Sequence, residues 1–349
     1  MIRSRRFALI ITLLLVVGFS FGSDCVRGRR VGAQNAQTSQ ESPEAVEASN
    51  LSLALGKLFQ RGRFDEALPL AKRVLEIREK LLAADDPQID EALNNLAEIH
   101  FARKDYAAAK KVYERLLMSK EKKLGPDEVS LSPILDRLAF LSYTENDFHR
   151  TEELYKRALS LREKSHGPNS ADVGLSLFNL AEYYRLQLDY DNAAPHFDRA
   201  LRIYGQLFGG DSSQFEKVSR AYGCLLYESR KTEKFQELYA LRRMYLSPAK
   251  TKLTEDPIGG GVLNGRAISL PKPPYPREAR SRHLAGVIII QVLIDERGKV
   301  IEAKDMCRGV PYLTEVSVEA AKSARFTPTK LSGQPVKVTG VIVYNFVAQ

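Results

Sequence analysis

Residues 287–294 spell Val-Ile-Ile-Ile-Gln-Val-Leu-Ile, and Asp295-Glu296-Arg297-Gly298 follows them directly. The apolar run is rich in β-branched residues and too short for a buried helix, so we predict a strand. The charged tetrapeptide fits a hairpin loop in which Gly298 adopts the left-handed backbone conformation. A second strand is expected from Lys299 onward. These residues therefore predict a β-hairpin near the end of the chain.

A helix and a final strand are expected after this hairpin. The helix has one apolar face, which is marked at helical spacing by Leu313, Val316, Ala320 and Ala324. The terminal run 336–346 alternates between apolar and polar residues, as a strand with one buried face does. Its inward residues are Val336, Val338, Ile342, Tyr344 and Phe346, and its outward residues are Lys337, Thr339 and Asn345. The end of the chain is thus a small α+β unit.

This unit resembles the C-terminal domain of the TonB family, the periplasmic energy transducers. The resemblance is carried, in the family's order and spacing, by Tyr275-Pro276, Gly286, Asp295 to Gly298, Ala324 to Pro328, Gly333 to Val336 and the terminal strand. It implies a small sheet with one or two helices packed on it. It also implies recognition of short extended peptides, namely the boxes of outer-membrane transporters.

Strand chemistry suggests how such a peptide would bind. An edge strand leaves a row of unpaired N–H and C=O groups, which another chain can complete. We expect Val338 to Phe346 to be that edge, with Lys272 to Pro276 alongside, as in the family. The predicted peptide-binding residues are Lys272, Tyr275, Pro276, Val338, Gly340, Ile342, Tyr344 and Phe346. In the alternative interpretation, Tyr275-Pro276 only fixes the initial turn and the terminal strand only completes the core.

The start of the chain has the three parts of a secretory signal. A basic head, Arg3 to Arg6, precedes an apolar run from Phe7 to Val17, and small residues follow. This run is shorter than the roughly 20 residues that span a bilayer. Residues 1–33 are therefore predicted to be a signal peptide or an N-terminal anchor in the inner membrane. Either alternative exports the mature chain to the periplasm.

The charge and the cysteines add little about partners. The formal net charge is +9, but residues 1–33 hold six Arg and one Asp and so account for +5 of it. The remaining +4 gives no reason to expect a nucleic-acid partner. Cys224 and Cys307 fall in different predicted domains. A disulfide between them is compatible with an oxidising compartment, but we expect two isolated buried thiols.

A 42-residue repeat is the clearest regularity in the chain. It relates Phe64, Tyr106, Phe148 and Tyr190, and likewise Leu75, Leu117, Leu159 and Leu201. Each copy holds two amphipathic helix-length segments. The pattern resembles the tetratricopeptide repeat, in the longer variety familiar from kinesin light chains. In the second copy the positions of that motif are held by Leu96, Ala97, Tyr106, Ala109, Tyr113 and Leu116. Stacking is obligatory, because one unit cannot bury its apolar face.

The predicted fold is a multidomain chain, an all-α tetratricopeptide solenoid followed by a small α+β domain. Residues 34–50 are a polar flexible linker, and residues 51–246 are four repeats plus a degenerate capping pair. Residues 247–265 are a linker, because they contain Pro248, Pro257 and three consecutive glycines. Residues 266–349 form the C-terminal domain.

The concave face of the repeats has two interpretations. It is either a groove for an unknown protein or peptide, or a set of solvated helix faces. The groove residues would be Asn94, Asn95, Arg137, Asn179 and Tyr183.

No catalytic constellation is evident in the sequence. The five histidines are scattered, and HExxH does not occur. We expect no enzyme activity, no metal and no cofactor.

The sequence therefore predicts a non-enzymatic, periplasmic TonB-like protein. Its repeats bind a partner protein, and its C-terminal domain binds an extended peptide of an outer-membrane transporter or another envelope protein. Energy transduction would require an inner-membrane motor complex as a further partner. The family couples to that motor through an anchor with a polar residue or a histidine, whereas the apolar segment here offers only Thr12 and Ser20. An envelope scaffold without energy transduction is the alternative.

Overall fold

The computed structural model describes residues 42–229, 231, 234–245, 258–281, 286–307 and 311–347. The predicted signal or anchor, residues 1–33, lies outside these ranges. The chain divides between Ser165 and His166 into two compact units. The predicted fold class is confirmed, because paired helices precede a small domain of strands and helices.

The first unit consists of helical hairpins. Its helices are α1 (Pro43–Gln60), α2 (Phe64–Leu81), α3 (Pro87–Ala102), α4 (Tyr106–Leu124), α5 (Ser132–Thr144) and α6 (Phe148–His166), with a short 3-10 turn at Val129–Leu131. Asp86 and Asp105 cap α3 and α4 by accepting hydrogen bonds from first-turn backbone N–H groups. Gly125 ends α4 with a positive φ of 89°, which suits glycine.

The small and aromatic repeat positions pack as the motif predicts. Ala97 and Ala109 have no exposed surface, so α3 and α4 cross closely. The Tyr106 ring lies against Phe101 and Phe140, with centroids 5.8 and 5.7 Å apart. These aromatic side chains are wedges between helices.

The helical part of the second unit continues the same construction. Its helices are α7 (Ala171–Leu186), α8 (Tyr190–Phe208), α9 (Ser213–Glu228) and α10 (Phe235–Tyr245). The end of α10 is fixed against α8, because the Tyr245 ring occupies the space beside Gly205, where any larger residue would collide with it. The Tyr245 carbonyl also accepts a hydrogen bond of 2.6 Å from the Gly210 N–H.

The C-terminal domain is built on a four-stranded sheet in the order β1-β8-β3-β4. Its elements are β1 (Ile258–Val262), β2 (Ala267–Ser269), α11 (Arg277–Ser281), β3 (Gly286–Ile294), β4 (Val300–Asp305), α12 (Pro311–Lys322), β5 (Arg325–Phe326), β6 (Lys330–Leu331), β7 (Gln334–Pro335) and β8 (Val338–Phe346). Strands β3 and β4 form the predicted hairpin, and Gly298 has the predicted left-handed φ of 80°. Two further pairs, β2 with β5 and β6 with β7, are antiparallel.

Both faces of this sheet are buried. The predicted apolar face packs on α12 in one core with Ile290, Val292, Leu313, Ala324, Ile342, Tyr344 and Phe346. The opposite face also buries Ile289, Val341 and Val343. On that side Lys304 of β4 pairs with Glu216 of α9 at 3.2 Å. The last repeat helices therefore cover a face that the alternation of β8 predicted to be polar.

The expectation of isolated thiols is wrong, because Cys224 of α9 and Cys307 after β4 form a disulfide. Their assignment to separate domains hid the contact. The covered second face of the sheet brings the two cysteines together.

Candidate functional site

The terminal strand β8 lies inside the sheet over its first half. Antiparallel pairing with β3 runs the full length of β8, from Ile294↔Val338 to Gly286↔Phe346. On its other side β8 pairs in parallel with β1, from Ile258↔Val338 to Val262↔Val341. The prediction that Val338 to Phe346 forms the sheet edge is therefore wrong over Val338 to Val341. It failed because β1 lies within the predicted linker, where glycines give no strand pattern.

The pairs with β1 stop halfway along β8. The next residue, Leu263, extends this contact with a hydrogen bond of 2.9 Å from its N–H to the Val341 carbonyl. The chain then turns through a 3-10 turn at Asn264–Arg266, which still lies against β8. Beyond Val341, β8 continues for five residues, to Phe346. We call the β1-facing side of β8 the β8 margin.

Strand β4 ends the described sheet on the opposite side and is a poor place for a partner. It is short and carries the charged residues Glu302 and Lys304, and Lys299 precedes it directly. Charged side chains on a short edge strand discourage pairing with another chain. The β8 margin is therefore the better candidate for strand addition.

The predicted binding residues of β8 expose little side-chain surface. Val338, Ile342, Tyr344 and Phe346 all belong to the domain core, and Gly340 is buried with them. A partner strand would therefore meet backbone groups of β8. Its recognition would rest on main-chain hydrogen bonds.

Tyr275 connects the proline-rich lead-in to the end of β8. Its ring stacks on Phe346 with centroids 6.0 Å apart, and the Arg280 guanidinium lies 5.7 Å from it. Pro276 is half-buried and Lys272 is exposed. At Tyr275 this segment therefore lies against the end of the terminal strand.

Tyr344 carries a buried polar atom. Within the described residues its hydroxyl has no hydrogen-bond partner. Burial also raises the pKa of Tyr344 to about 12. The hydroxyl is therefore kept neutral and adds a desolvation cost without a compensating bond.

In the repeats, the side chain of Arg137 forms an ion pair with another residue of the chain. Its Nε and Nη2 donate to the two carboxylate oxygens of Glu98 at 2.9 and 2.8 Å. The guanidinium also lies over the Phe101 ring, 4.4 Å from the centroid. Tyr113 donates its hydroxyl to Glu98 at 2.6 Å. Arg137, predicted to face a partner, thus ties adjacent repeats together in this structure.

The other predicted groove residues differ in exposure. Asn94 is exposed and Asn95 is half-buried, and both lie in the first unit. Asn179 and Tyr183 lie in the second unit and are buried. Neither amide atom of Asn179 has a hydrogen-bond partner within the described residues. Of the five predicted groove residues, Arg137, Asn179 and Tyr183 are therefore buried in this structure.

Sequence reasoning missed a second buried ion cluster, in the second unit. Arg185 of α7 contacts Glu182 at 3.0 Å, one turn earlier in the same helix, and Glu228 of α9 at 2.9 Å. The i, i+3 spacing of Glu182 and Arg185 could have indicated an ion pair on one helix from the sequence alone. The link to Glu228 across 43 residues required the fold.

Two general searches of the described residues give negative results. No helix there is long and apolar enough to cross a membrane. Likewise, no group of His, Cys, Asp or Glu residues in the described ranges is arranged to hold a metal ion.

Comparisons with known proteins support both parts of the chain. Residues 44–122 and 131–206 match the tetratricopeptide repeat model. Residues 271–347 match the model of the Gram-negative bacterial TonB protein C-terminal domain. The comparison with curated protein sequences finds no match.

Solved structures are similar to this chain in fold. BtubC from P. vanneervenii is 21% identical, with a TM-score of 0.51, over 58% of this chain and 82% of its own. A candidate kinesin light chain of Podosopora anserina with nearly identical TPR-like repeats is 18% identical, with a TM-score of 0.51, over 61% of this chain and 99% of its own.

Tetratricopeptide repeats imply protein–protein interaction, and the TonB-type domain indicates a Gram-negative envelope protein. Both kinds of domain are interaction modules rather than catalytic ones. The resemblances predicted from the residues are thereby confirmed: the chain carries tetratricopeptide repeats followed by a TonB C-terminal domain.

Proposed function

We propose that this chain is a periplasmic, non-enzymatic TonB-like adaptor. Its C-terminal domain binds an extended peptide of an outer-membrane transporter by strand addition at the β8 margin. Its repeats bind a second protein, and Asn94 and Asn95 are the predicted groove residues that lie at the surface.

The single observation that carries this proposal is that the two sides of β8 are held unequally. Strand β3 pairs with all nine residues of β8, whereas the margin is paired over Val338 to Val341 by β1, a five-residue strand with three glycines. Main-chain hydrogen bonds along this margin would supply the affinity for an added strand. Tyr275, stacked at the Phe346 end, would contact the added peptide there.

A titration of the full chain tests this function. Fluorescein-labelled transporter-box peptides are added, and binding is followed by anisotropy and by methyl NMR of the isoleucines and valines. We expect shifts at Val341, Ile342 and Val343 that saturate with the anisotropy. No response of these methyl groups at millimolar peptide would contradict the proposal.

Two tyrosine variants sharpen the experiment. Tyr275→Ala removes the ring that stacks on Phe346 and should weaken binding about tenfold, since aromatic contacts contribute on the order of 1 kcal/mol. Tyr312→Ala is the matched control, because Tyr312 is a partly exposed tyrosine on α12 of the same domain. Equal loss in both variants would argue against a role for Tyr275.

A scaffold without energy transduction is the second candidate. The disulfide Cys224–Cys307 favours it, because it fastens the C-terminal domain to the last repeat helices. In cells, a photo-crosslinker at Lys272 separates the two candidates. A transducer should give crosslinks to a transporter that a protonophore abolishes, whereas a scaffold should give crosslinks that the protonophore leaves unchanged.

A further inference from the structure

Strand β1 occupies the same margin that the proposed function assigns to a partner. It enters from residues 246–257, which connect it to α10, and pairs in parallel with Val338 to Val341. At the end of this contact, the Leu263 N–H donates a hydrogen bond to the Val341 carbonyl. The chain therefore already supplies β8 with an added strand.

The composition of β1 makes it a weak strand. Three of its five residues, Gly259 to Gly261, are glycines. Glycine loses more conformational freedom on folding than other residues and contributes no side chain to a sheet. The pairing register also shifts between Gly259 and Val262. By contrast, β3 pairs with β8 through nine consecutive residues without a shift. Of the two neighbours of β8, β1 is the one that a competitor can displace.

The surroundings of β1 indicate what kind of strand fits there. Helix α10 contacts β1, and its end is held in place by Tyr245. Beside β1 in the same sheet, the β8 residue Gly340 also lacks a side chain, and Val341 is fully buried. A strand that takes this position would replace three consecutive glycines, so we infer that it has small residues in its middle.

We propose that β1 is a placeholder: in the unbound protein it occupies the position beside β8 that the partner strand takes when it binds. The docking surface is the β8 margin along Thr339 to Val341, and the partner is an extended segment with small central residues that displaces β1. This inference rests on the proposed function. It adds that the unbound protein inhibits itself by occupying its own binding margin.

The test uses the full chain and a peptide that copies residues 256–264, Asp-Pro-Ile-Gly-Gly-Gly-Val-Leu-Asn, labelled with fluorescein. In one variant, Gly260→Pro/Gly261→Pro, prolines prevent β1 from pairing, because they supply no N–H and are excluded from sheet interiors. In another, Gly259→Cys/Thr339→Cys, oxidation locks β1 to β8 at a directly paired position. Gly259→Ser/Thr339→Ser is the unlocked control.

We expect the proline variant to bind the peptide at least tenfold more tightly than the wild type, because the apparent affinity is reduced by the fraction of molecules whose margin is open. The locked variant should not bind, and the serine control should match the wild type. A peptide with valine in place of the middle glycine should bind more weakly. Mapping under non-reducing conditions confirms that the engineered pair and Cys224–Cys307 have both formed.

Equal binding to the wild-type, proline and locked forms would overturn the inference. Tighter binding of the valine peptide would overturn the requirement for small residues. A concentration-dependent dimer of the wild type, seen by light scattering, would identify a second copy as the occupant and also overturn it.

Transporter-box peptides separate this inference from the proposed function. If they bind the wild-type, proline and locked forms equally, the proposed function stands and the placeholder is disproved. If neither these peptides nor the copied strand binds the proline variant, and its methyl spectrum shows a folded sheet, both proposals fail.

Discussion

Cys224 in helix α9 and Cys307 just after strand β4 form a disulfide, with their Cα atoms 5.5 Å apart and a sequence separation of 83. The loop that they close contains α10, β1 and the β3–β4 hairpin. Lys304 and Glu216 add an ion pair between the same two elements. The last repeat hairpin is therefore fastened to the C-terminal sheet both covalently and by charge.

Removing the disulfide should destabilise the second unit. Closing a loop of this length contributes about 4 kcal/mol in the chain-entropy model, and 2–4 kcal/mol is typical of measured cases. We expect Cys224→Ser/Cys307→Ser to lower the free energy of unfolding by about 3 kcal/mol. Urea unfolding followed by circular dichroism measures this. Either single serine variant should lose about as much as the double variant, and an unchanged midpoint without reductant would contradict the prediction.

The Arg137–Glu98 pair should contribute more to the unfolding free energy than a surface ion pair does. Arg137→Ala leaves the half-buried Glu98 carboxylate without its bidentate partner. We expect a loss of about 2–3 kcal/mol in unfolding free energy. The matched control is Arg115→Ala, which removes an exposed pair with Glu79 between repeats and should cost less than about 1 kcal/mol. Equal losses in the two variants would show that burial of the Arg137 pair is irrelevant.

Two Tyr→Phe substitutions should change the stability of the protein in opposite directions. The buried Tyr344 hydroxyl has no partner among the described residues, so Tyr344→Phe should stabilise the protein by about 1 kcal/mol. The Tyr113 hydroxyl donates to Glu98, so Tyr113→Phe should destabilise it by about 1–2 kcal/mol. Thermal unfolding of both variants at neutral pH measures the difference. A loss of stability in Tyr344→Phe would indicate that this hydroxyl is hydrogen-bonded in solution.

Ionisation of Tyr344 should also affect the stability of the protein at alkaline pH. Its folded pKa of about 12 lies above the ordinary value of 10.0 that applies to the unfolded chain. Below pH 10 the hydroxyl is neutral in both states and its titration does not affect stability. Between pH 10 and 12 the unfolded chain ionises more readily than the folded one, so the folded state loses stability as the pH rises. We expect wild-type stability to fall more steeply than that of Tyr344→Phe between these values. Parallel urea titrations at several alkaline pH values measure the two slopes, and identical slopes would contradict the assigned pKa.

Two glycines with left-handed backbones should respond differently to alanine. Gly298 has φ 80°, and a Cβ there would overlap the Phe326 carbonyl oxygen, so Gly298→Ala should cost about 3 kcal/mol or more. Gly333 has φ 84°, but an added Cβ meets nothing within 4 Å. Gly333→Ala should therefore cost only about 1 kcal/mol, the strain of the left-handed conformation alone. Unfolding midpoints compare them, and similar costs would mean that the hairpin moves away from Phe326.

Local patterns were sufficient for most of the fold. The 42-residue spacing predicted the helical hairpins and the buried wedge at Tyr106, because the residues of each pair are close in sequence and repeat with one period. Alternation predicted the core face of β8, and a β-branched run ending in Asp295 to Gly298 predicted the β3–β4 hairpin. These elements depend on neighbours within a few residues.

The candidate site was predicted less completely, because it depends on segments far apart in sequence. Strand β1 is rich in glycine, so it shows no alternation until β8 supplies its hydrogen bonds. Arg137 had the position of a groove residue, yet Glu98, 39 residues earlier, pairs with it.

By itself the sequence determined the repeats, the hairpins and the inward face of the terminal strand, since periodicity is a local property. Only the tertiary structure decided that β8 lies beside β1 and that Cys224 meets Cys307. Both contacts arise because the last helices cover the second face of the sheet, and no periodicity encodes which distant surface will cover a face.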